Sequence, residues 1–230
     1  DEALATLRYW VEHREGFVMV TGEVGTGKTT SLFRLIDNLE QRFEIAFLTN
    51  STLTPVDLLE EICRKFKLEG LTPGMSKSAL LQRLESYLLK LRDLRHAAIL
   101  ILDEAQNFNE ELLEEVRLLS NTAVPSGPPL LQIALVGQPE LERKLGQESL
   151  RQLRQRIGVH YKIEPLDEEE TVRYVRHRIG VAGGNADMVF PPDAARALFI
   201  YTNGLPREIN QVGSQAMLHA YVDGAPGVRP

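Results

Sequence analysis

Five apolar runs mark the first two thirds of the chain: FVMVT (17–21), EIAFLT (44–49), AAILIL (97–102), LQIALV (131–136) and VHYKI (159–163). Most are uninterrupted, the pattern of strands covered on both faces. Between them, TTSLFRLIDNLEQ, PVDLLEEICRKF, SKSALLQRLESYLLKLRDL, EELLEEVRLLSN and SLRQLRQRI repeat apolar residues at helical spacing. This alternation predicts an α/β class fold, a parallel sheet with helices on both faces. After Pro165 the texture changes. DEEETVRYVRHRI, PPDAARALFIYTN and PREINQVGSQAMLHAYV follow as helical patterns with no strand between them. The expected division is an αβα core over 1–164, a helical lid over 165–223 and a tail or linker over 224–230. Gly70–Lys77 and the PSGPP stretch at 125–129 read as turn-rich loops. Tyr9 and Trp10 are expected to pack the first helix on the core. LLQRLESYLLKLRDL is amphipathic, and a helix packed on the sheet explains it better than one lying on a membrane.

Composition narrows the class. The chain has 230 residues, 43% hydrophobic and 25% charged, enough to bury one or two cores. No apolar run approaches the roughly 20 residues of a membrane span. The net charge of −6 provides no global attraction to DNA or anionic lipid. Cys63 is the only cysteine, so there is no internal disulfide, which fits a reducing compartment. His13, His96, His160, His177 and His219 are scattered, with no metal-site spacing. RYVRHRIG, Arg173 to Gly180, reads as a solvated helix face. DEALATLRYW does not read as a secretory signal, and the closing DGAPGVRP suggests a fragment cut before a linker.

The densest chemistry lies at Gly22, Glu23, Val24, Gly25, Thr26, Gly27, Lys28, Thr29 and Thr30. GEVGTGKT fits G-x-x-x-x-G-K-[ST] with the required strand before and helix after. Glycines let the backbone wrap a phosphate and aim N–H groups inward. The helix N-terminus adds partial positive charge. Lys28 reaches the β and γ phosphates, and the Thr29 hydroxyl is a ligand for Mg²⁺.

AAILILDEAQ ends an apolar strand in Asp103 and Glu104. Such a pair can hold Mg²⁺ through the first acid and orient or deprotonate water through the second. This points to hydrolysis rather than nucleotide binding alone. Gln138 follows the fourth strand, where an amide can sense a γ-phosphate or position the water. Arg151, Arg154 and Arg156 form either a solvated helix face or the source of a cation for a neighbouring subunit's γ-phosphate. Arg207 opens a helix in the second domain, either structural or a lid residue that touches phosphate.

TGEVGTGKTT, LDEAQN, VRLLSN, LLQIALVGQPEL, LRQLRQRI and GLPREIN, in this order, resemble an AAA+ ATPase. More specifically, the chain resembles the ExeA/GspA family, the general secretion pathway protein A ATPases, over nearly its whole length. The resemblance implies a P-loop NTPase (AAA+) three-layer αβα core with a parallel five-stranded sheet and a small all-α lid. It implies ATP and Mg²⁺ between core and lid, and a homo-oligomer joined through ATP-bridged interfaces. By position, Lys28 and Thr29 form Walker A, Asp103 and Glu104 Walker B. Gln138 stands at sensor 1, where asparagine or threonine is commoner, and Arg207 at sensor 2. Arg156 is the first candidate for the arginine finger, Arg154 the second. The implied role is assembly of a secretion or pilus apparatus from the cytoplasm, as a cytoplasmic domain or the cytoplasmic part of an inner-membrane protein. Membrane contact would come only through regions outside this chain. Family members often carry a segment before the first helix that contributes to the adenine pocket; its absence predicts weak nucleotide binding by this stretch alone. The alternative is an ATP-dependent DNA-binding regulator of the transposition-ATPase type, following DNA through Arg151, Arg173 and Arg176. A third reading is a nucleotide-gated adaptor with negligible hydrolysis, against which Glu104 argues.

Overall fold

Each apolar run becomes a strand, and each helical pattern between them a helix. A computed structural model describes residues 2–37, 42–49, 52–121 and 127–229. The end of the TTSLFRLIDNLEQ pattern (38–41), the start of PSGPP (125–126) and the last residue of the tail lie outside the described residues. The elements run α1 (Glu2–Glu12), β1 (Phe17–Gly22), α2 (Lys28–Asp37), β2 (Phe43–Leu48), α3 (Pro55–Lys65), α4 (Lys77–Asp93), β3 (Ala97–Leu102) and α5 (Glu110–Leu119). They continue with β4 (Leu131–Gly137), α6 (Glu140–Leu145), α7 (Arg151–Arg156), β5 (Ile157–Ile163), α8 (Glu168–Val181), α9 (Ala186–Val189), α10 (Pro192–Thr202) and α11 (Pro206–Val222).

The parallel sheet has the order β2-β3-β4-β1-β5. Phe43 pairs with Ala97, Ala98 with Leu131 and Phe17 with Ile133. β1, β3 and β4 are buried at every position, as central strands covered on both faces must be. β5, at the edge, alternates half-buried and exposed residues. The chain leaves β1 for the far edge, returns strand by strand to β4, then steps past β1 to β5. The winding therefore changes direction beside β1. In open α/β sheets ligands bind outside the carboxyl ends of the strands at such a point. The ends of β1 and β4 meet there, with Thr21 opposite Gly137. Leu102 at the end of β3 lies opposite Leu135.

Contacts divide the chain into two compact units. The first comprises Asp1–Thr21 and Lys28–Lys162. Its core joins strand residues such as Phe17, Leu100 and Ile133 to Leu58, Ile62, Leu84 and Leu112 of the helices. α4 sets Leu80, Leu84, Leu88 and Leu91 into this core, which explains its amphipathic pattern. Trp10 is buried as expected, whereas Tyr9 is 50% exposed and stacks on His13 with ring centroids 3.9 Å apart. Leu7, Trp10 and Val11 form the buried face of α1, and Tyr9 lies outside that face.

The second unit comprises Gly22–Gly27 and Ile163–Pro230. Its helices close on Val175, Ile179, Phe190, Leu198 and Ile209. Asp167 and Glu170 form a capping box that starts α8. Gly204 is obligatory: its φ is +74°, and a Cβ there would stand 1.8 Å from the Leu166 carbonyl oxygen. On α8, Arg173 faces Glu169, Arg176 faces Asp187 and Arg178 lies over the Tyr174 ring. No helix of the described residues is long and apolar enough to cross a membrane.

Candidate active site

The loop from Gly22 to Gly27 leaves β1 and enters α2 at Lys28. Two glycines make its turns: Gly25 has φ +88° and Gly27 φ +94°, conformations that side chains rarely adopt. The Thr26 hydroxyl and backbone N–H both donate to the Glu23 carbonyl, at 2.9 and 3.3 Å. Gly22 passes close to Ile163, whose carbonyl oxygen is 2.6 Å from where a Cβ would stand. Glu23 and Val24 are exposed at the tip. Arg207, exposed in the first turn of α11, donates its backbone N–H to the Gly25 carbonyl at 3.2 Å. That bond satisfies one of the donors a helix start leaves unpaired. A Cβ on Gly25 would meet the Arg207 Cβ at 2.7 Å, so both glycine conformation and lack of a side chain are required there.

Lys28 is buried at the start of α2, with Thr29 partly buried and Thr30 exposed. The Thr29 hydroxyl donates to Asp103 Oδ2 at 2.8 Å, across 74 residues of sequence. Asp103 is 6% exposed at the end of β3. Its other oxygen, Oδ1, accepts the Glu104 backbone N–H at 2.9 Å. Both carboxylate oxygens are thus engaged. A hydroxyl beside a carboxylate, both hard oxygen donors, fits Mg²⁺, which binds through one or two protein ligands and completes its shell with waters and phosphate. Among the described residues no cluster of three or more His, Cys, Asp or Glu is placed to hold a metal by itself.

Glu104 adopts the left-handed conformation, φ +53°. For a residue other than glycine this is a strained state, held only where its surroundings fix it. They do so here. A short 3₁₀ turn, Ala105–Asn107, follows at once. Lys144 of α6 donates from Nζ to the carbonyls of Gln106 and Phe108, at 2.5 and 2.7 Å. Glu104 Oε2 accepts from Gln106 Nε2 at 2.6 Å and from Gln138 Nε2 at 3.2 Å. Gln138 therefore lies on the second acid of the pair, at the end of β4.

The arginines of α7 make their bonds elsewhere. Arg156 donates to the carbonyl of Arg117 at 3.2 Å, to Asn121 Oδ1 at 2.6 Å and to the Ser120 hydroxyl, all at the end of α5. Arg154 is exposed and makes one long bond, 3.4 Å, to the Gly146 carbonyl. Arg151 pairs with Glu148 at 3.2 Å. The site residues missed by sequence reasoning are Gln106, Gly137 and Lys144. Gln106 stands in the quoted LDEAQN phrase, two residues past Glu104, and that proximity was the available signal. Nothing local marks Lys144.

A phosphate loop after β1, an acid pair after β3 and a polar amide after β4 define an ATPase domain of the P-loop class. The chain belongs to the AAA domain family, whose model matches residues 11–145. General secretion pathway protein A of Aeromonas hydrophila is 39% identical over 224 residues, covering 97% of this chain and 40% of that protein. The resemblance to the ExeA/GspA ATPases is thus borne out, although the chain spans less than half of that relative's length. Among solved structures, ORC2 of Aeropyrum pernix, in its ADPNP-ADP complexes, superposes with a TM-score of 0.74 at 19% identity, covering 99% of this chain and 64% of that one. Cdc6p of Pyrobaculum aerophilum gives 0.72 at 19% identity, over 99% and 63%. A RuvB variant of Thermotoga maritima gives 0.65 at 15%, over 99% and 65%. At such identities these likenesses establish the fold.

Proposed function

We propose that this chain binds and hydrolyses Mg-ATP, and that the hydrolysis drives assembly or conformational change in a secretion or pilus apparatus. The observation that carries the chemistry is the 2.8 Å bond from Thr29 to Asp103. It sets the residue after the loop lysine directly against the strand-end acid, with Glu104 next in the chain. In this reading Gly22–Thr30 hold the phosphates, with Lys28 on the β and γ groups. Thr29 and Asp103 hold Mg²⁺, which supplies charge neutralisation on the phosphates when bound. Glu104 orients the attacking water and takes its proton, and Gln138 senses the γ-phosphate. Residues 1–164 act as the nucleotide core and 165–223 as the lid, with Arg207 the lid's phosphate contact.

The sites are shared between subunits, and Arg156 or Arg154 meets a neighbour's γ-phosphate. Arg156 must then leave its three bonds at the end of α5, or carry that end with it. The similarity to general secretion pathway protein A supports a secretion-system partner and a cytoplasmic setting. The transposition-type alternative is not favoured, because the arginines it requires face Glu148, Glu169 and Asp187. The test is ATP hydrolysis per subunit against protein concentration, with Mg²⁺. Specific activity is expected to rise with concentration, to vanish in Lys28→Ala and to fall about a thousandfold in Arg156→Ala. Activity independent of concentration and intact in Arg156→Ala and Arg154→Ala would overturn the shared-site mechanism.

A further inference from the structure

We infer that Gln106 is a positioning residue for hydrolysis: it fixes the Glu104 carboxylate and links it to the end of β4. The inference rests on the hydrolytic reading of Glu104 given above. The geometry is a relay of amides. Gln106 Nε2 donates to Glu104 Oε2 at 2.6 Å. At its other end, Gln106 Oε1 accepts the backbone N–H of Gln138 at 3.1 Å. One planar amide therefore joins the acid after β3 to the backbone after β4. Gln138 closes the ring by donating its own side-chain amide to the same Glu104 oxygen, at 3.2 Å.

Three features keep the Gln106 amide in place. Lys144 holds the backbone carbonyl of Gln106 from α6. Gly137 makes room, since a Cβ there would stand 2.6 Å from Gln106 Oε1. The left-handed backbone of Glu104 turns the 3₁₀ segment back toward β4. Gly137 has no positive φ, so what it provides is space rather than conformational freedom.

The division of labour follows. Gln138 cannot leave Glu104 for a phosphate and still orient it, whereas Gln106 can keep hold throughout. Through the Gln138 N–H, Gln106 ties the position of the Glu104 carboxylate to the end of β4. A one-ångström error in placing a water-activating group is enough to cost a large part of the rate.

The test has two arms. In the nucleotide-free protein, the Gln106 side-chain amide, assigned by its loss in Gln106→Met, is expected away from the solvent-exposed glutamine resonances in a ¹⁵N–¹H spectrum. It returns toward them in Glu104→Ala and in Gly137→Ala, which displaces the amide without altering it. In the second arm, Gln106→Met and Gly137→Ala each lower kcat on the order of tenfold to a hundredfold. The KM for ATP and the affinity for a non-hydrolysable ATP analogue change far less than kcat, because Gln106 bonds the Glu104 carboxylate and a backbone N–H, that of Gln138, and so acts on how Glu104 is held. A Gln106 amide at the solvent position, a kcat equal to that of the parent protein or higher, or a loss confined to KM would overturn the inference. Glu104→Gln separates the two claims: if it hydrolyses ATP normally, the hydrolytic reading fails; if it is inactive while Gln106→Met is not, only the role of Gln106 fails.

Discussion

A thiol removed from water behaves as a small apolar group. Cys63 is fully buried on α3, its Sγ lying 3.8 Å from the Leu80 carbonyl. Burial pushes its pKa up from the ordinary thiol value to about 11. At neutral pH it is therefore protonated and enclosed, and a nucleophile needs the thiolate. Aromatic disulfide reagents are expected to label it only as fast as the protein unfolds. The raised value also sets a sign for stability. The folded state holds this proton more tightly than the unfolded chain, so the contribution is whole below about pH 8.5 and is lost as the pH rises toward 11. The stability gap between the parent protein and Cys63→Ala should shrink across that window, measured by urea unfolding. A gap that is constant with pH would refute the assignment. Tyr87, raised to about 12 by burial and by Glu44, acts in the same direction at still higher pH.

Among the elements, α3 and α4 show how local and tertiary forces divide the work. α3 begins with a capping box: Asp57 N–H donates to the Thr54 hydroxyl oxygen, and Thr54 N–H to Asp57 Oδ2, both at 3.2 Å. The Thr54 hydroxyl also donates to Asp57 Oδ2, at 2.7 Å, and this bond, with the one from the Thr54 N–H, holds the Asp57 carboxyl below its usual range. Pro55 follows the cap at the first helical position, where its missing N–H costs nothing. Thr54→Ala is expected to cost about 1 kcal/mol. α4 depends instead on burial, and Leu84→Ala, at a fully buried site, is expected to cost about 2–5 kcal/mol. Chemical denaturation of both variants checks the ranking; a larger loss for the cap would contradict it. β4 holds a residue that no strand pattern explains. Gln132 is 1% exposed, and its amide donates to the carbonyls of Trp10 and Glu15 at 2.9 and 3.1 Å. A buried polar group needs such partners, and here they come from the end of α1 and the turn after it.

For the molecule as a whole, the net charge is −6 and the isoelectric point about 5.5. Arginines facing carboxylates contribute little to stability, but they do cancel local positive potential. Labelled duplex DNA is therefore expected to show no ATP-dependent rise in fluorescence anisotropy, even at low salt. Binding that weakens steeply with salt would restore the DNA-regulator reading.

The sequence alone determined the α/β class, the phosphate loop and the acid pair, because each is written within a few neighbouring residues. Uninterrupted apolar runs are what doubly covered strands require, and glycines at 22, 25 and 27 with Lys28 are what a phosphate requires of a backbone. The residue-by-residue resemblance supplied the family for the same reason. Strand order was not legible in that way, since an apolar run does not say which neighbour it will pair with. Nor were the ties of Arg156 to α5, the burial of Gln132 or the amide relay through Gln106. The partners in that relay stand 32 residues apart, and only the folding of β3 beside β4 brings Gln106 to Gln138. Periodicity and motifs encode what neighbours along the chain do together. Hydrogen bonds between distant residues exist only once the sheet has set the distances, and for that reason the tertiary structure decided how Glu104 is held.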